Sequence, residues 1–396
     1  MISNNFKEMA VLCKENDVFV NPIIDYLRQS YGDSVRVYKQ GDCSMDELFE
    51  LLSKVDLAWL EWCSDWSGAI TAGDKYCKLM MRLHSYEAFN MSHKNQGVVQ
   101  NVNWNQIDDL IVVNPSVIEV MNIIRNHFYS DAKMSNQPIN IDSIRPTIDP
   151  TKINFIPIGV DTKKFRIANG KPKTKKIAWV GYINYKKNFQ LALYAFMELL
   201  KKDPEYEFHI AGLFQDPRDR IYFDWLTRDM PKNFDKDACI FYHGWVDPSH
   251  LNEWLEDKTY IISSSLFEAA HTGIAESMSS GLIPLIHHWF GADNIYPKEF
   301  FWNDISQFIE LVESIQKLNE VELNNLRKQL RQSIIEKNGI DITMPKIKNL
   351  VDSHLFEEEL ISYFKDGVAL PDVKFDLSFQ KIILERRGKL KSTTQT

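Results

Sequence analysis

The stretch "SLFEAAHTGIAESMSSGLIPLI", residues 265–286, carries two carboxylates, Glu268 and Glu276, with only His271 between them as a further titratable group. The run before it, "TYIISSS", and the run that ends it, "LIPLIHH", read as short buried strands. Between them "GIAESMSS" has helical period, starting near Thr272 or Gly273 and stopping before Gly281. Glu268 therefore falls on the loop after a strand, and Glu276 in the early turns of the next helix. The backbone N–H groups at 271–274 would crown that helix, where unpaired donors and the positive end of the dipole favour a phosphate. Carboxylates accept charge-assisted hydrogen bonds from hydroxyls, so a ligand that alternates hydroxyls with phosphate suits the layout. A nucleotide sugar has that form. The plainer alternative makes Glu276 a helix-start charge and Glu268 a solvated loop residue, and the spacing alone leaves both open.

The elements that would position these groups recur along the chain. In the first part, "MAVLC", "VRVYK", "DLAWLEW", "YCKLMMRLH" and "DDLIVVN" alternate with helical segments such as "NPIIDYLRQSYG" and "SMDELFELLSKV". A polar, proline-bearing stretch at 129–152 interrupts this rhythm, which restarts after "INFIPIGVDTKKF". The second half then reads "KIAWVG", "YEFHIAG", "ACIFYHG", "TYIISSS" and "LIPLIHH" as strands with helices between them. Alternation of this kind is the signature of parallel sheets with crossover helices, here an α/β chain of two Rossmann-like doubly wound domains. The expected division is 1–160, 161–345 and a helical, basic C-terminal segment at 346–396 that crosses back to the first domain. "ISQFIELVESIQKLNEVELNNLRKQLRQSIIEK" reads as a packed pair of helices.

Composition narrows the function classes. With 396 residues, 44% of them hydrophobic, the chain can build two ordinary cores. The net charge of −8 argues against a general nucleic-acid binder. Five scattered cysteines without a CxxC pair suggest neither a disulfide framework nor a thiolate zinc site, which points to a reducing, cytoplasmic setting. No window is long and apolar enough for a membrane helix. The basic end, "KIILERRGKLKSTTQT", is either a solvated terminus or a peripheral contact to an anionic membrane.

From Ile153 to Pro297 the chain resembles the nucleotide-sugar-binding half of retaining glycosyltransferases of the GT-B fold, glycosyltransferase family 4 (glycosyl transferases group 1). The resemblance rests on four ordered blocks: "IPIGVDTKKF", "WVGYINYKKNFQLALYAF", "YHGWVDPSHLNEWLEDKTYIISSSLFEAAHTGIAESMSSGLIPLI" and "HHWFGADNIYP". In the first half "DLAWLEWCSDWSGAI" and "LMMRLHSYE" resemble the acceptor-side domain more loosely. The resemblance implies two domains facing a central cleft, and transfer of a sugar from a nucleotide-diphosphate sugar to a glycan, lipid-linked or other hydroxyl acceptor. No cofactor and no metal are implied; the chain shows no Asp-x-Asp pair in the expected position.

Carried over by position, the resemblance implies that Glu276 binds the ribose hydroxyls and that Glu268 contacts the transferred sugar or the phosphates. Lys187, with Lys186 beside it, would neutralise the diphosphate, which the N–H groups of Thr272, Gly273 and Ile274 would also meet. Gly181 and Tyr182 fall on the turn beside it, and Trp245 and Val246 near the base. His84 falls on the histidine set against the donor sugar, with a loop-holding buried histidine as the plainer reading. His84, Lys187 and Glu268 are the expected catalytic set. Trp66, on an expected loop, is the best aromatic for a sugar face, with Trp59 and Trp62 as core.

The chain departs from the family pattern at three places. Tyr182 stands where an arginine is expected, and "EAAH" replaces "EGFG", which brings His271 toward the donor sugar. The first strand is followed by "CKENDVFVNP", without the expected glycines. The rival reading is a catalytically inactive scaffold that binds a nucleotide or glycan as a regulatory or structural subunit. An epimerase or phosphorylase would need acid/base residues or a pyridoxal lysine that no recognisable motif supplies.

Overall fold

The computed structural model describes residues 7–13, 19–89, 98–123, 148–228, 239–371 and 373–391. The interrupting stretch at 129–152 falls mostly outside these residues, and so does half of "CKENDVFVNP". The chain divides into two compact units: residues up to Pro157 with those from Thr343 on, and Ile158–Ile342.

The first unit holds β1 (Met9–Cys13), β2 (Val35–Lys39), β3 (Leu57–Glu61), β4 (Lys78–Leu83), β5 (Asp109–Val112) and β6 (Ile153–Phe155). They form one parallel sheet in the order β2-β1-β3-β4-β5-β6. "MAVLC" and "LAWLE" are buried at every position, as a parallel sheet covered on both faces demands. Among the helices are α1 (Asn21–Tyr31), with a proline in its first turn, and α2 (Met45–Leu52), whose start is fixed by a Ser44–Glu47 capping box.

One expectation is corrected in this unit. Trp66 is not on a loop: it lies in α3 (Asp65–Ala72) and is 9% exposed, so it offers no open face to a sugar. The basic end is largely used internally. Arg386 and Arg387 both reach the buried Asp109, and Lys389 lies 3.2 Å from Glu357. Three of the cations that suggested a membrane contact therefore already have acidic partners. No helix among the described residues is long and apolar enough to cross a membrane.

The second unit holds β7 (Lys176–Val180), β8 (Glu207–Ala211), β9 (Ile240–Gly244), β10 (Tyr260–Ser263), β11 (Ile283–His287) and β12 (Phe301–Trp302), all parallel, in the order β12-β11-β10-β7-β8-β9. The chain runs outward from β7 to β9, then returns to the other side of β7 with β10. The order reverses between β7 and β10, and ligands of doubly wound sheets lie beyond the carboxyl ends at such a point. α4 (Phe189–Lys202) buries Phe189, Ala192, Leu193, Phe196, Leu199 and Leu200 against this sheet. α5 (Thr272–Ser279) joins β10 to β11. The helical pair appears as α6 (Ile305–Gln316) and α7 (Glu320–Asn338), with Asn319 and Glu322 forming the capping box between them.

The turn after β7 is held against the turn after β8 by a contact only glycine allows. A Cβ on Gly212 would stand 1.8 Å from the Gly181 carbonyl oxygen. Gly212→Ala is therefore expected to destabilise the unit by at least about 1–3 kcal/mol, read as a lower urea midpoint. Gly212→Ala unfolding at the wild-type midpoint would contradict that packing.

Candidate active site

At the carboxyl end of β7 the chain passes Gly181, whose φ of +149° suits glycine, and enters a short turn, Tyr185–Lys187. Asn184 caps this turn by accepting the Lys187 N–H at 2.9 Å. The turn is stitched to the loop after β10: the Leu266 N–H donates to the Lys186 carbonyl at 2.9 Å, and the Ser264 hydroxyl to the Lys187 carbonyl at 2.8 Å. These bonds bring both lysines over Glu268. Lys187 Nζ lies 2.5 Å from Glu268 Oε1 and Lys186 Nζ 3.6 Å from Oε2, while the Ser265 hydroxyl donates to Oε1 at 2.9 Å.

Glu268 is 4% exposed. Burial pushes its carboxyl up, but Lys187, with His271 and Lys186, outweighs this and holds it down at about 2. It is therefore an ionised counter-ion. Two ammonium groups face one carboxylate, so about one positive charge is left over beside the N-terminus of α5. Glu268 was expected at the transferred sugar or the phosphates; in the folded chain its Oε1 accepts from Lys187 and Ser265, so the side chain positions the lysine.

His271 also departs from expectation. Its ring is buried, with Nδ1 2.9 Å from the Ser263 hydroxyl and Nε2 3.1 Å from the Val180 carbonyl. A carbonyl only accepts, so Nε2 carries the proton and Nδ1 receives the serine hydroxyl. Both nitrogens are thus used within the unit, and the imidazole ties the end of β7 to the end of β10 instead of pointing at a sugar. Burial, reinforced by Lys187, depresses its pKa to about 3. The neutral ring is favoured by the fold, so its contribution is complete above the ordinary value of 6.5 and is lost as pH falls toward 3. His271→Leu is expected to cost about 1–3 kcal/mol at neutral pH and to flatten the fall of Tm between pH 6.5 and 4. An unchanged pH slope would contradict the strut.

α5 begins at Thr272, directly after this strut. The Ile274 N–H donates to the His271 carbonyl at 2.9 Å, so it is not available to a diphosphate, contrary to expectation. The N–H groups of Thr272 and Gly273 have no acceptor among the described residues. Gly273 packs closely on the strand end: a Cβ there would lie 3.3 Å from Val180 Cγ1. Tyr296, which the sequence did not single out, donates its hydroxyl to the His271 carbonyl at 2.8 Å and buttresses the helix start from behind.

Glu276, one turn further along α5, is half-buried, and its carboxylate has no hydrogen-bond partner among the described residues, while its carbonyl accepts from Ser280. Burial raises its carboxyl to about 7, and Lys164 opposes this only in part. Farther out, Tyr182 and Trp245 leave the ends of β7 and β9 with 46% and 54% exposure. Their rings stack with centroids 6.5 Å apart and planes at 28°. Val246, next to Trp245, packs partly on the core. Among the described residues no three His, Cys, Asp or Glu side chains gather as a metal site.

In the first unit, His84 lies just past the end of β4 and is 5% exposed. Its Nε2 is 2.8 Å from Glu61 Oε1, and its ring stacks on Trp62 at 4.0 Å. Arg82 donates to both oxygens of Glu61, and the Trp59 indole donates to Oε2 at 2.8 Å. Burial pushes Glu61 up, yet Arg82 and His84 hold it at about 2. Glu61 and Arg82 beside His84 were given no role from sequence, and Trp62 was expected in the core. His84 is thus tied to the end of β3 through Glu61.

With this geometry in place, the second unit can be compared with known proteins. Residues 161–337 match the family model of glycosyl transferases, group 1. The group 1 match spans every strand from β7 to β12, with the lysine turn, α4 and α5. No curated protein matches the chain by sequence. Among solved structures, a mutant of TarM from S. aureus in complex with fondaparinux, alpha-GlcNAc-glycerol and UDP superposes with a TM-score of 0.54 at 17% identity, over 75% of this chain and 55% of that one. The chain thus spans little more than half the length of TarM. Sucrose-phosphate synthase from Thermosynechococcus elongatus gives 0.62 at 14% identity, covering 89% of this chain and all (100%) of that one. HepE from Anabaena in complex with UDP gives 0.67 at 10% identity, covering 87% and 100%. The pair of parallel-sheet, Rossmann-like units is the GT-B fold of glycosyltransferases.

Proposed function

We propose that the chain is a retaining glycosyltransferase of family 4, of hexosyltransferase type, that moves a sugar from a nucleotide-diphosphate sugar to a hydroxyl of a glycan or lipid-linked acceptor. One observation carries the reading. At the strand-order reversal of the second unit, the surplus positive charge of Lys186 and Lys187 around Glu268 and the open N–H groups of Thr272 and Gly273 lie at the start of α5, which one turn further on carries Glu276, a carboxylate with unused acceptor capacity. The group 1 match over this unit, and the UDP bound by TarM and HepE, support the same ligand class.

Breaking the bond between a sugar and a diphosphate builds positive charge at the anomeric carbon and negative charge on the departing phosphate. Stabilisation must come from donors fixed in advance around that phosphate. Lys187, held by Glu268, supplies an ammonium group, and α5 supplies two amides at the positive end of its dipole. In this reading Glu276 accepts from the ribose hydroxyls, and no metal is required because the lysines and amides carry the charge. Tyr182 and Trp245 form the side of the site that the base meets. For retention, departure and attack share one face of the sugar, with the leaving phosphate assisting the acceptor hydroxyl.

Binding to the folded state raises Tm, so thermal scans with UDP, GDP, ADP and their sugars test the donor class without an acceptor. At least one nucleotide diphosphate is expected to stabilise the protein, and Glu276→Ala to abolish most of that shift. No shift with any of them would contradict the proposal. Replacing Tyr182 and Trp245 by alanine is expected to weaken the preferred nucleotide roughly three- to tenfold, the scale of an aromatic contact, and to narrow its preference over the others. Unchanged ratios among UDP, GDP and ADP would remove the aromatic pair from base recognition.

A further inference from the structure

At the other ends of the same two strands, before β7 and before β10, lies a second feature that the donor site does not use. A cavity of about 340 Å³ opens between the loop at 167–171 and α7. Its charged lining is Lys171, Arg327 and Lys328, and no aspartate or glutamate takes part in it. The volume is at the lower end of the range that small-molecule sites occupy.

Two of the three cations are buried without a counter-ion. Arg327 is 0% exposed and makes no ion pair among the described residues. Its Nη1 donates to the Lys171 carbonyl at 2.8 Å and to Asn324 Oδ1 at 3.1 Å, and its Nη2 to the Pro172 carbonyl at 2.8 Å. Its Nε is buried with no hydrogen-bond partner. Lys171 is 5% exposed, and its ammonium group donates to the Leu255 and Glu256 carbonyls at 2.7 and 3.0 Å. Glu320 acts on Arg327, and Asp257 and Glu256 on Lys171, only through space. Asp257 is already paired with Lys176 and Lys258.

Neutral carbonyls satisfy hydrogen-bonding capacity but leave the Arg327 charge uncompensated, and burial with Arg327 beside it depresses Lys171 to about 7, so an anion in the cavity would offset the one charge and restore the other. Arg327, 0% exposed with both terminal nitrogens on carbonyls, lends its charge to the cavity wall, and Lys328, exposed at the rim, is the mobile cation that can meet a phosphate directly. We infer that this cavity is a binding site for a small phosphorylated ligand, separate from the nucleotide cradle at the opposite edge of the sheet. The shared chemistry is a phosphate dianion, taken either as inorganic phosphate or as the phosphate of a sugar monoester.

The test uses the full-length protein, with inorganic phosphate and glucose 6-phosphate as separate probes in thermal scans and calorimetry. Saturable binding with a rise in Tm is expected for at least one of them. A tighter response to glucose 6-phosphate assigns the sugar ester, and equal responses assign the phosphate alone. Lys328→Glu, at an exposed position, is expected to weaken binding at least tenfold, and Arg327→Met to abolish it where that variant folds. Lys187→Ala should leave binding intact, which separates this site from the donor cradle. Absence of binding by either probe at 20 mM (roughly twentyfold above a millimolar Kd), or full binding by Lys328→Glu, would overturn the inference. Neither result bears on the nucleotide scans, since UDP is read at the other edge.

Discussion

Lys187→Ala is expected to lower kcat for donor cleavage by about 10²–10³-fold while the protein stays folded, the scale seen when one preorganised charge donor is removed from a leaving group. The effect should fall on kcat more than on KM, because charge on the phosphate grows as the bond breaks. Lys186, 3.6 Å from Glu268, can hold the carboxylate in part, so the buried Glu268 is not stranded. Lys187→Ala paired with Glu268→Gln keeps the site free of an unpaired charge and should be as slow as Lys187→Ala alone. Glu268→Gln alone, with the lysine loosened, is expected to lose less. Activity in Lys187→Ala within a factor of three of wild type would remove the lysine from the mechanism.

Glu276 should show function and stability pulling in opposite directions. Burial raises its carboxyl to about 7 from the model-peptide value of 4.5. Between these values the folded chain holds more protons than the unfolded one, so this group's effect on stability becomes less favourable as pH rises from 4.5 to 7 and then levels off. Glu276→Gln is therefore expected to raise Tm at pH 8 and to change it little at pH 4.5. Nucleotide binding should move the other way. The ionised carboxylate is the better acceptor, so wild-type affinity rises through pH 7, whereas Glu276→Gln loses roughly 10- to 100-fold at pH 8 and becomes nearly independent of pH. A variant that is both stabilised and weakened marks a residue retained for ligand at the expense of the fold. Tm and nucleotide affinity measured at pH 4.5, 6, 7 and 8 for both proteins check it. Unaltered affinity at pH 8 would assign Glu276 to the helix alone.

The residues that announced themselves in the sequence did so through local pattern. β7 and β10 are apolar runs ending in small residues, and α5 sits between a strand and Gly281, so Glu268 and Glu276 could be placed on a loop and a helix at sight. Partner choice was not legible, because it depends on contacts distant in sequence. The Lys187–Glu268 pair spans 81 positions and the His271–Val180 bond 91, and no periodicity encodes either. The sequence offered Glu268 and His271 to the ligand, and it could not show that the fold also engages them with Lys187 and with the two strand ends. Ile274 was lost to a local bond for a related reason: the His271 carbonyl lies within reach once the helix turns. Trp66 was expected on a loop, whereas Ser64 and Ser67 form the capping box that starts α3 and carry it into the helix. Glu61 and Arg82 around His84 were hidden inside apolar strands, where a carboxylate and a guanidinium sit in neighbouring register positions and neutralise each other.

The central claim is that the cradle at the ends of β7 and β10 binds and cleaves a nucleotide-diphosphate sugar. Nucleotide release from a panel of UDP-, GDP- and ADP-sugars, measured side by side for wild type, Lys187→Ala and Glu276→Ala, tests it most directly. The expected result is release from at least one donor by the wild type, with at least a tenfold loss in each variant, on the scale of one lost charge-assisted contact. Equal release by all three proteins, or none from any donor, would contradict it.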